Sequence, residues 1–178
     1  MFLRRRKLHL HHKVREYVWP RSGWRRASRY LGHRIMRLSG SPYSIAAGFA
    51  CGAAISFTPF IGFHFIIAAL LAWVINAHIL ASALGTAVGN PWTFPFIWVW
   101  IYKLGQLMLG GEAHDGLPDE LTMNIIFDHP LEVFLPMFLG SLPTAVLVWI
   151  AFYFPLKKAI AGYQHHRQAK LLKRRKED

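Results

Sequence analysis

The chain has 178 residues, of which 53% are hydrophobic and 15% aromatic, and its formal net charge at pH 7 is +12. This length fits one domain, and the composition is typical of a membrane protein rather than of a soluble basic domain. The single cysteine, Cys51, excludes an intrachain disulfide and a multi-thiolate metal site.

The basic residues are concentrated at the two ends of the chain. Of the 21 Lys and Arg residues, 12 precede Pro42, eight follow from Lys157 onward, and Lys103 stands alone between them. Basic ends around an apolar centre follow the positive-inside rule, which places both termini in the cytoplasm. We therefore expect membrane lipids as partners, with anionic headgroups at the basic ends. Nucleic acid is a less favoured partner, and a homo-oligomer stays open.

Residues 1–41 are expected to form a basic cytoplasmic and interfacial segment. No long apolar stretch follows the first basic cluster, which argues against a secretory signal peptide. Between residues 22 and 38, apolar residues recur every three or four positions, and this predicts an amphipathic interfacial helix. The alternative is a solvated basic helix that packs on the protein itself. Four basic side chains are expected at the membrane surface: Arg25, Arg26, Arg29 and Arg37.

Residues 42–102 contain no Asp, Glu, Lys or Arg in 61 positions. A helix needs about 20 residues to cross a bilayer, so this run is long enough for several passages. It is interrupted at residues 58–62 and 90–95. Broken backbone at membrane depth is costly unless protein or a polar cavity satisfies its amides. We therefore expect any function to be located at these two breaks.

Four helices are predicted around the breaks, and they cover residues 43–57, 63–75, 79–89 and 94–109. The first two are too short for a hydrocarbon core of about 30 Å. The first and third are rich in small residues, and their Gly-x-x-x-Gly spacing predicts close helix packing. The glycines concerned are Gly48, Gly52, Gly85 and Gly89.

The remaining residues predict an external loop, one further span and a tail. Residues 110–130 are polar and acidic, whereas residues 131–154 are apolar and long enough to cross a bilayer. The transmembrane domain is therefore expected to cover residues 42–156. Residues 157–178 are expected to form a basic cytoplasmic tail in contact with anionic lipid.

If both basic ends are cytoplasmic, the number of full crossings is even. The part of the chain before the acidic loop then crosses an odd number of times. It forms either three short spans or one re-entrant hairpin around Pro59 plus one crossing, and the short arms favour the hairpin. The expected fold class is all-α: a polytopic membrane protein with broken or re-entrant short helices, an N-terminal basic interfacial helix and a basic C-terminal tail.

The expected binding residues lie at the breaks: Thr58, Pro59, Gly62, Asn90, Pro91 and Thr93. Because a proline disfavours helix at the residue before it, Asn90 should be non-helical, with its carboxamide bonded to nearby backbone groups. Such polar groups, together with the positive end of a short helix, are suited to an anionic headgroup or an ion. The alternative is that they only satisfy amides that the prolines leave free.

Several motifs together resemble a widespread bacterial family of small inner-membrane proteins whose function is unknown. They are Gly48-x-x-x-Gly52, Thr58-Pro59-x-x-Gly62, Asn76 and Gly89-Asn90-Pro91-x-Thr93-x-Pro95. The resemblance covers about residues 41–154 and implies a multi-pass location in the bacterial inner membrane. The family supplies no established activity. This chain has Phe63-His64 where a polar, amide-bearing residue is expected after the Pro-x-x-Gly turn.

The pattern favours a small transport or lipid-handling protein that acts at the paired breaks. The alternative is a non-enzymatic membrane scaffold or assembly factor for envelope machinery, which would work through its small-residue helix faces. No acidic residue lies in the apolar run and no Ser-His-acid order is evident, so we expect no enzyme activity and no cofactor. The histidines at residues 9–12 and 165–166 lie in basic tails, and no metal site is expected.

Overall fold

The structure is a computed structural model that describes these residues: 30, 32–60, 62–90, 92–110 and 130–177. Its contacts divide the chain into two compact units, residues 1–37 and residues 38–178. Every secondary-structure element among the described residues is helical, which confirms the predicted all-α class for this part of the chain. In the first unit, residues 32–36 are helical and the helix closes where Arg37 N donates to Arg34 O at 3.3 Å.

In the second unit the structure describes α1 (Pro42–Ile55), α2 (His64–Val74), α3 (Ile79–Gly85, continued by a 3-10 turn, Thr86–Val88), α4 (Phe94–Met108) and α5 (Pro130–Glu177). The four helices predicted in the apolar run agree with α1 to α4 to within one turn. No conformation was predicted for the basic tail from Lys157, and α5 continues through it as helix. Ala, Leu, Lys and Arg are frequent there, and all four favour helix.

Helix α1 is the centre of the second unit. It begins where Ser41 Oγ accepts a hydrogen bond from Ser44 N at 3.1 Å, and Pro42 occupies a first-turn position that needs no donor. Every residue from Ile45 to Ile55 is buried. A helix that is buried on all sides must be surrounded by other helices, and α2, α3 and α5 all pack against it.

Helices α1 and α3 lie side by side and run in the same direction. Helix α2 comes between them in the sequence and runs in the opposite direction. Tyr43 at the start of α1 donates its hydroxyl to Ile75 O at 3.1 Å, so α1 and α2 form an antiparallel hairpin. His78 N donates to Ser44 O at 2.9 Å, which brings the start of α3 to the start of α1. The turn between α2 and α3 contains Asn76 at φ +53°, a conformation that Asn tolerates better than most residues.

Helix α5 runs antiparallel to both α1 and α4. Its later part packs on α1, where the Phe49 and Phe152 rings lie 5.6 Å apart. Its earlier part packs on α4, where Trp100 Nε1 donates to Thr144 Oγ1 at 3.3 Å. Helices α3 and α4 therefore point the same way along α5 and resemble one helix interrupted at residues 89–93. The α1–α2 hairpin, by contrast, returns to the level where it began.

Small side chains fill the interior of the second unit and large apolar side chains lie on its surface, which is the reverse of the arrangement in soluble proteins. The buried hydrophobic positions are dominated by small residues, including Ala46, Ala47, Ala50, Ala53, Ala68, Ala72 and Ala81. Large apolar side chains are exposed, including Phe65, Leu70, Trp73, Leu80, Phe96, Trp100, Leu147 and Phe154. Soluble monomers rarely expose contiguous apolar surface on this scale.

One stretch among the described residues, Val133–Lys170 of α5, is long and apolar enough to cross a membrane. Its most apolar 18-residue window has a mean hydropathy of 2.0, and 28% of that window is buried. Three other helices are apolar but shorter: Pro42–Ile55, His64–Val74 and Ile79–Val88. The predicted external loop lies outside the described residues except for its ends.

Candidate functional site at the two helix breaks

The first break follows α1 and is closed by hydroxyl groups. Thr58 is buried, and its Oγ1 donates to Ile55 O at 2.7 Å. Ser56 Oγ lies 3.0 Å from Gly52 O and 3.2 Å from Thr86 O, so it is close to acceptors on both α1 and the 3-10 turn. The three carbonyl groups also accept backbone hydrogen bonds, from Thr58 N, Ser56 N and Gly89 N, so the hydroxyl groups add to bonds that the backbone already makes.

Two more of the predicted binding residues lie at the tip of the α1–α2 hairpin. Pro59 is half-buried, whereas Gly62 is exposed and has φ +84°. A Cβ atom at Gly62 would meet no other atom within 4 Å, so its backbone conformation rather than crowding favours glycine there. The tip packs on α5, because the Phe60 ring lies 5.9 Å from the Phe134 ring and 6.0 Å from the Phe138 ring.

The second break is a reciprocal cap between Asn90 and Thr93. Asn90 Oδ1 accepts hydrogen bonds from Trp92 N at 3.0 Å and from Thr93 N at 3.1 Å. Thr93 Oγ1 in turn accepts from Asn90 N at 2.9 Å and lies 3.0 Å from Val88 O. Asn90 is non-helical and its carboxamide bonds to backbone, as predicted. Pro91 lies outside the described residues.

The structure brings together the segments that lead into the two breaks, although they are about 30 residues apart in the chain. The Ser56 hydroxyl reaches the carbonyl of Thr86, and a Cβ atom at Gly89 would lie 2.7 Å from Ser56 Cβ. On the other side, Phe57 and Trp98 pack on the same buried cluster, which consists of Ile97, Ile101 and Met137. The end of α1 and the segment that leads to Asn90 therefore lie side by side within the second unit.

The four glycines that the sequence assigns to helix packing line the contact between α1 and the α3 region. A Cβ atom at Gly48 would clash with His78 O, one at Gly52 with Ser82 O, and one at Gly85 with Phe49 O. Each obstacle is a backbone atom of the opposite segment. The backbones of α1 and α3 therefore approach more closely than any side chain at these positions would allow.

A second glycine contact joins α4 to α5, and the sequence analysis missed it. A Cβ atom at Gly105 would clash with Pro136 O, and one at Gly140 with Ile101 O. These glycines are single residues in different helices, so no Gly-x-x-x-Gly spacing marks them. Trp100 and Thr144 bond across the same contact.

Three buried side-chain nitrogen atoms among the described residues have no hydrogen-bond partner: His64 Nδ1, His78 Nδ1 and Trp98 Nε1. His64 opens α2 directly after the first break, and Trp98 lies one turn into α4 after the second. His78 lies at the start of α3, away from the breaks. Two of the three atoms therefore flank the region where the breaks meet.

The predicted surface arginines fall in the first unit. Arg37 is exposed, whereas Arg25, Arg26 and Arg29 lie outside the described residues. No group of three His, Cys, Asp or Glu side chains within the described ranges is arranged to hold a metal ion. The expectations of no enzyme activity, no cofactor and no metal stay predictions.

Comparison with known proteins identifies the family. No curated protein and no solved structure matches the chain. A family model matches residues 25–169, and this match extends beyond the predicted resemblance at both ends. It takes in the helical residues before Pro42 and most of the basic part of α5. The resemblance inferred from the motifs is therefore confirmed, and the chain belongs to the family described as uncharacterized protein conserved in bacteria (DUF2062).

Proposed function

We propose that this protein is embedded in the bacterial inner membrane and crosses it twice. The reversed distribution of side-chain size supports this placement, since large apolar side chains are stable against lipid tails and small ones allow helices to pack closely. The basic end of α5 then lies in the cytoplasm. In this topology Lys157 lies at that surface. Its Nζ lies 5.3 Å from the centre of the ring of Tyr153, a residue type that is enriched at membrane surfaces.

The helix directions support a re-entrant hairpin plus one broken crossing. Tyr43 at the start of α1 packs on Tyr153 with ring centres 6.2 Å apart, so α1 begins at the cytoplasmic level of α5. With 14 residues, α1 is about 21 Å long and ends inside the hydrocarbon layer. The chain returns through α2, and α3 starts again from the cytoplasmic side.

Helices α3 and α4 make the outward crossing in this arrangement. The seven residues of α3, the three of its 3-10 turn and the 15 of α4 extend about 38 Å along one direction. This length exceeds a hydrocarbon core of about 30 Å. The break at Asn90 then lies within the membrane, close to the end of α1, and α5 crosses back to the cytoplasm.

We propose that the joined breaks handle the headgroup of a lipid, or carry a small anionic solute, across or within the bilayer. The observation that carries this proposal is the contact between the segments that lead into the two breaks, where Ser56 lies against Thr86 and Gly89. Helix α2 begins after the first break and α4 after the second, and the N-terminus of a helix has a partial positive charge that favours anions. Paired interruptions near the membrane midplane are typical of substrate sites in transporters.

A scaffold is the second candidate. It is favoured by the bonds at the breaks, since the hydroxyls of Thr58 and Thr93 are already paired with protein groups. The small-residue faces, however, are occupied by contacts within the chain. A scaffold of this fold would therefore have to recruit partners through other surfaces, which weakens the form of the hypothesis that relies on Gly48 and Gly85.

The test is a transbilayer movement assay with the full-length protein in vesicles that contain a trace of fluorescent phosphatidylglycerol. A reductant that cannot cross the membrane bleaches the outer leaflet, and the later loss of signal reports movement of inner-leaflet lipid. We expect wild-type protein to accelerate this loss. Asn90→Asp should slow it by about tenfold or more, because a like charge at the break repels the anionic headgroup.

Gly162→Ala is the matched control, since a Cβ atom there would meet no other atom within 4 Å. It should move lipid at the wild-type rate. If wild-type vesicles lose signal no faster than protein-free vesicles, for phosphatidylglycerol and for phosphatidylcholine alike, lipid handling at the breaks is wrong and the scaffold is the better interpretation.

A further inference from the structure

The end of the first unit presents a basic helix face. Residue 30 and residues 32–36 are helical, and spacings of three and four bring every such position to one side. Four exposed residues with this spacing line an open depression of about 500 Å³: Tyr30, His33, Arg34 and Arg37. We refer to these four residues as the 30–37 face.

The sequence on either side of this face contains few acidic residues. No acidic residue occurs between Glu16 and Glu112, so the neighbouring sequence has no carboxylate to pair with Arg34 or Arg37. Both guanidinium groups have planar donors arranged to bind two oxygen atoms of a phosphate at once. The depression therefore combines a size suited to a small group with an excess of donors and positive charge.

The length of chain between this face and the apolar run limits where the face can lie. Five residues lead from Arg37 to Pro42, and at no more than about 3.6 Å per residue they span at most about 18 Å. Because α1 begins at the membrane surface in the proposed topology, the face is held near the lipid headgroups. Tyr30, which is 65% exposed, is a residue type that is enriched at that level.

We propose that the 30–37 face binds the phosphate of an anionic phospholipid headgroup in the cytoplasmic leaflet. The proposal rests on the membrane placement proposed above, but it does not depend on lipid handling at the breaks. The sequence analysis assigned Arg37 to the membrane surface and did not single out His33 or Arg34. The helix in the structure brings these two residues beside Arg37.

The test measures lipid binding to the full-length protein in a nonionic detergent by native mass spectrometry. The protein is titrated with phosphatidylglycerol and phosphatidylcholine of identical acyl chains, at physiological ionic strength. We expect phosphatidylglycerol to bind at least about tenfold more tightly. The double variant Arg34→Gln with Arg37→Gln should lose roughly 10- to 30-fold in affinity, at about 1 kcal/mol for each basic residue.

The matched control is the double variant Arg167→Gln with Lys170→Gln, which removes the same charge from an exposed part of α5. It should weaken phosphatidylglycerol binding by less than about threefold, because the predicted attraction of this tail to anionic lipid is diffuse and six of its eight basic residues remain. Equal losses in the two variants would overturn the proposal, because they would indicate diffuse attraction. The pair Arg34→Lys with Arg37→Lys keeps the charge, so complete loss of binding there would indicate a packing role and would also overturn it.

Two competitors identify the source of the phosphate. Inorganic phosphate and a short single-stranded RNA are each added to the complex of wild-type protein with phosphatidylglycerol. We expect neither to displace the lipid at equal concentration. Displacement by phosphate would make the site one for a free anion, and displacement by RNA would make it a nucleic-acid site. The vesicle assay on Asn90 uses other residues and another readout, so either proposal can fail while the other stands.

Discussion

The Asn90 side chain holds the start of α4 by accepting two backbone hydrogen bonds, from Trp92 N and Thr93 N. Thr93 Oγ1 in turn accepts a hydrogen bond from Asn90 N. All of these groups lie within four residues of one another. A motif this short can be recognised in the sequence, and the non-helical conformation of Asn90 was predicted from Pro91 alone.

Asn90→Ala is expected to destabilise the protein more than Asn90→Asp does. Alanine removes both acceptor contacts and should cost about 1 to 2 kcal/mol, as does the loss of other helix caps. Aspartate keeps an acceptor oxygen at the same position, and its negative charge lies at the start of α4, where a helix favours it, so its stability should remain within about 1 kcal/mol of wild type. Thermal denaturation of both variants in detergent measures the difference. An Asp variant that is less stable than the Ala variant would show that buried charge outweighs the cap.

Glycine contacts connect the helices of the second unit. The sequence predicts close packing at the glycines of α1 and α3, because a spacing of four puts both glycines of a pair on one helix face, but it does not show that these two helices contact each other. The contact between α4 and α5 could not be predicted. Gly105 and Gly140 become neighbours only because the two helices run antiparallel, and helix direction depends on chain beyond either helix.

The continuity of the helices was also only partly visible in the sequence. Proline and glycine mark where α1 to α4 end, which is why the predicted bounds are close to the observed ones. The change from apolar to basic residues near Lys157 predicted the end of the transmembrane domain. A change in polarity does not by itself end a helix. Helix α5 therefore continues to Glu177 although its surroundings change.

Gly52→Ala is expected to separate α1 from α3. Its Cβ atom would clash with the carbonyl oxygen of Ser82 and lie 2.8 Å from Thr86 N. Neither obstacle can rotate away, so overpacking should cost about 1 to 3 kcal/mol or more. Gly162→Ala, in open space on α5, should instead be neutral or stabilising by up to about 1 kcal/mol. Melting temperatures of the two variants in the same detergent provide the comparison, and equal shifts would contradict close packing at Gly52.

At the scale of the whole molecule, the central feature is the level at which the breaks meet. Along α5, helix α1 occupies the part near the basic end, and α4 occupies the opposite part. The hairpin tip lies level with the first turns of α5, where Phe60 packs on Phe134 and Phe138, and Gly89 places the start of the second break beside Ser56 at the end of α1. If the membrane surrounds the exposed apolar side chains, both breaks lie within its hydrocarbon layer.

The measurement that tests this arrangement most directly is labelling of single cysteines with a thiol reagent that cannot cross the membrane. In a Cys51→Ala background, Phe63→Cys reports on the hairpin tip, Leu109→Cys on the end of α4, and Lys173→Cys on the end of α5. All three positions are exposed. In intact cells we expect the reagent to label position 109 and neither of the other two positions. After permeabilisation it should also label position 173. Position 63 should resist the reagent from both sides. Label at position 63 in intact cells would contradict the account, because α1 would then cross the membrane completely and the two breaks would not meet within it.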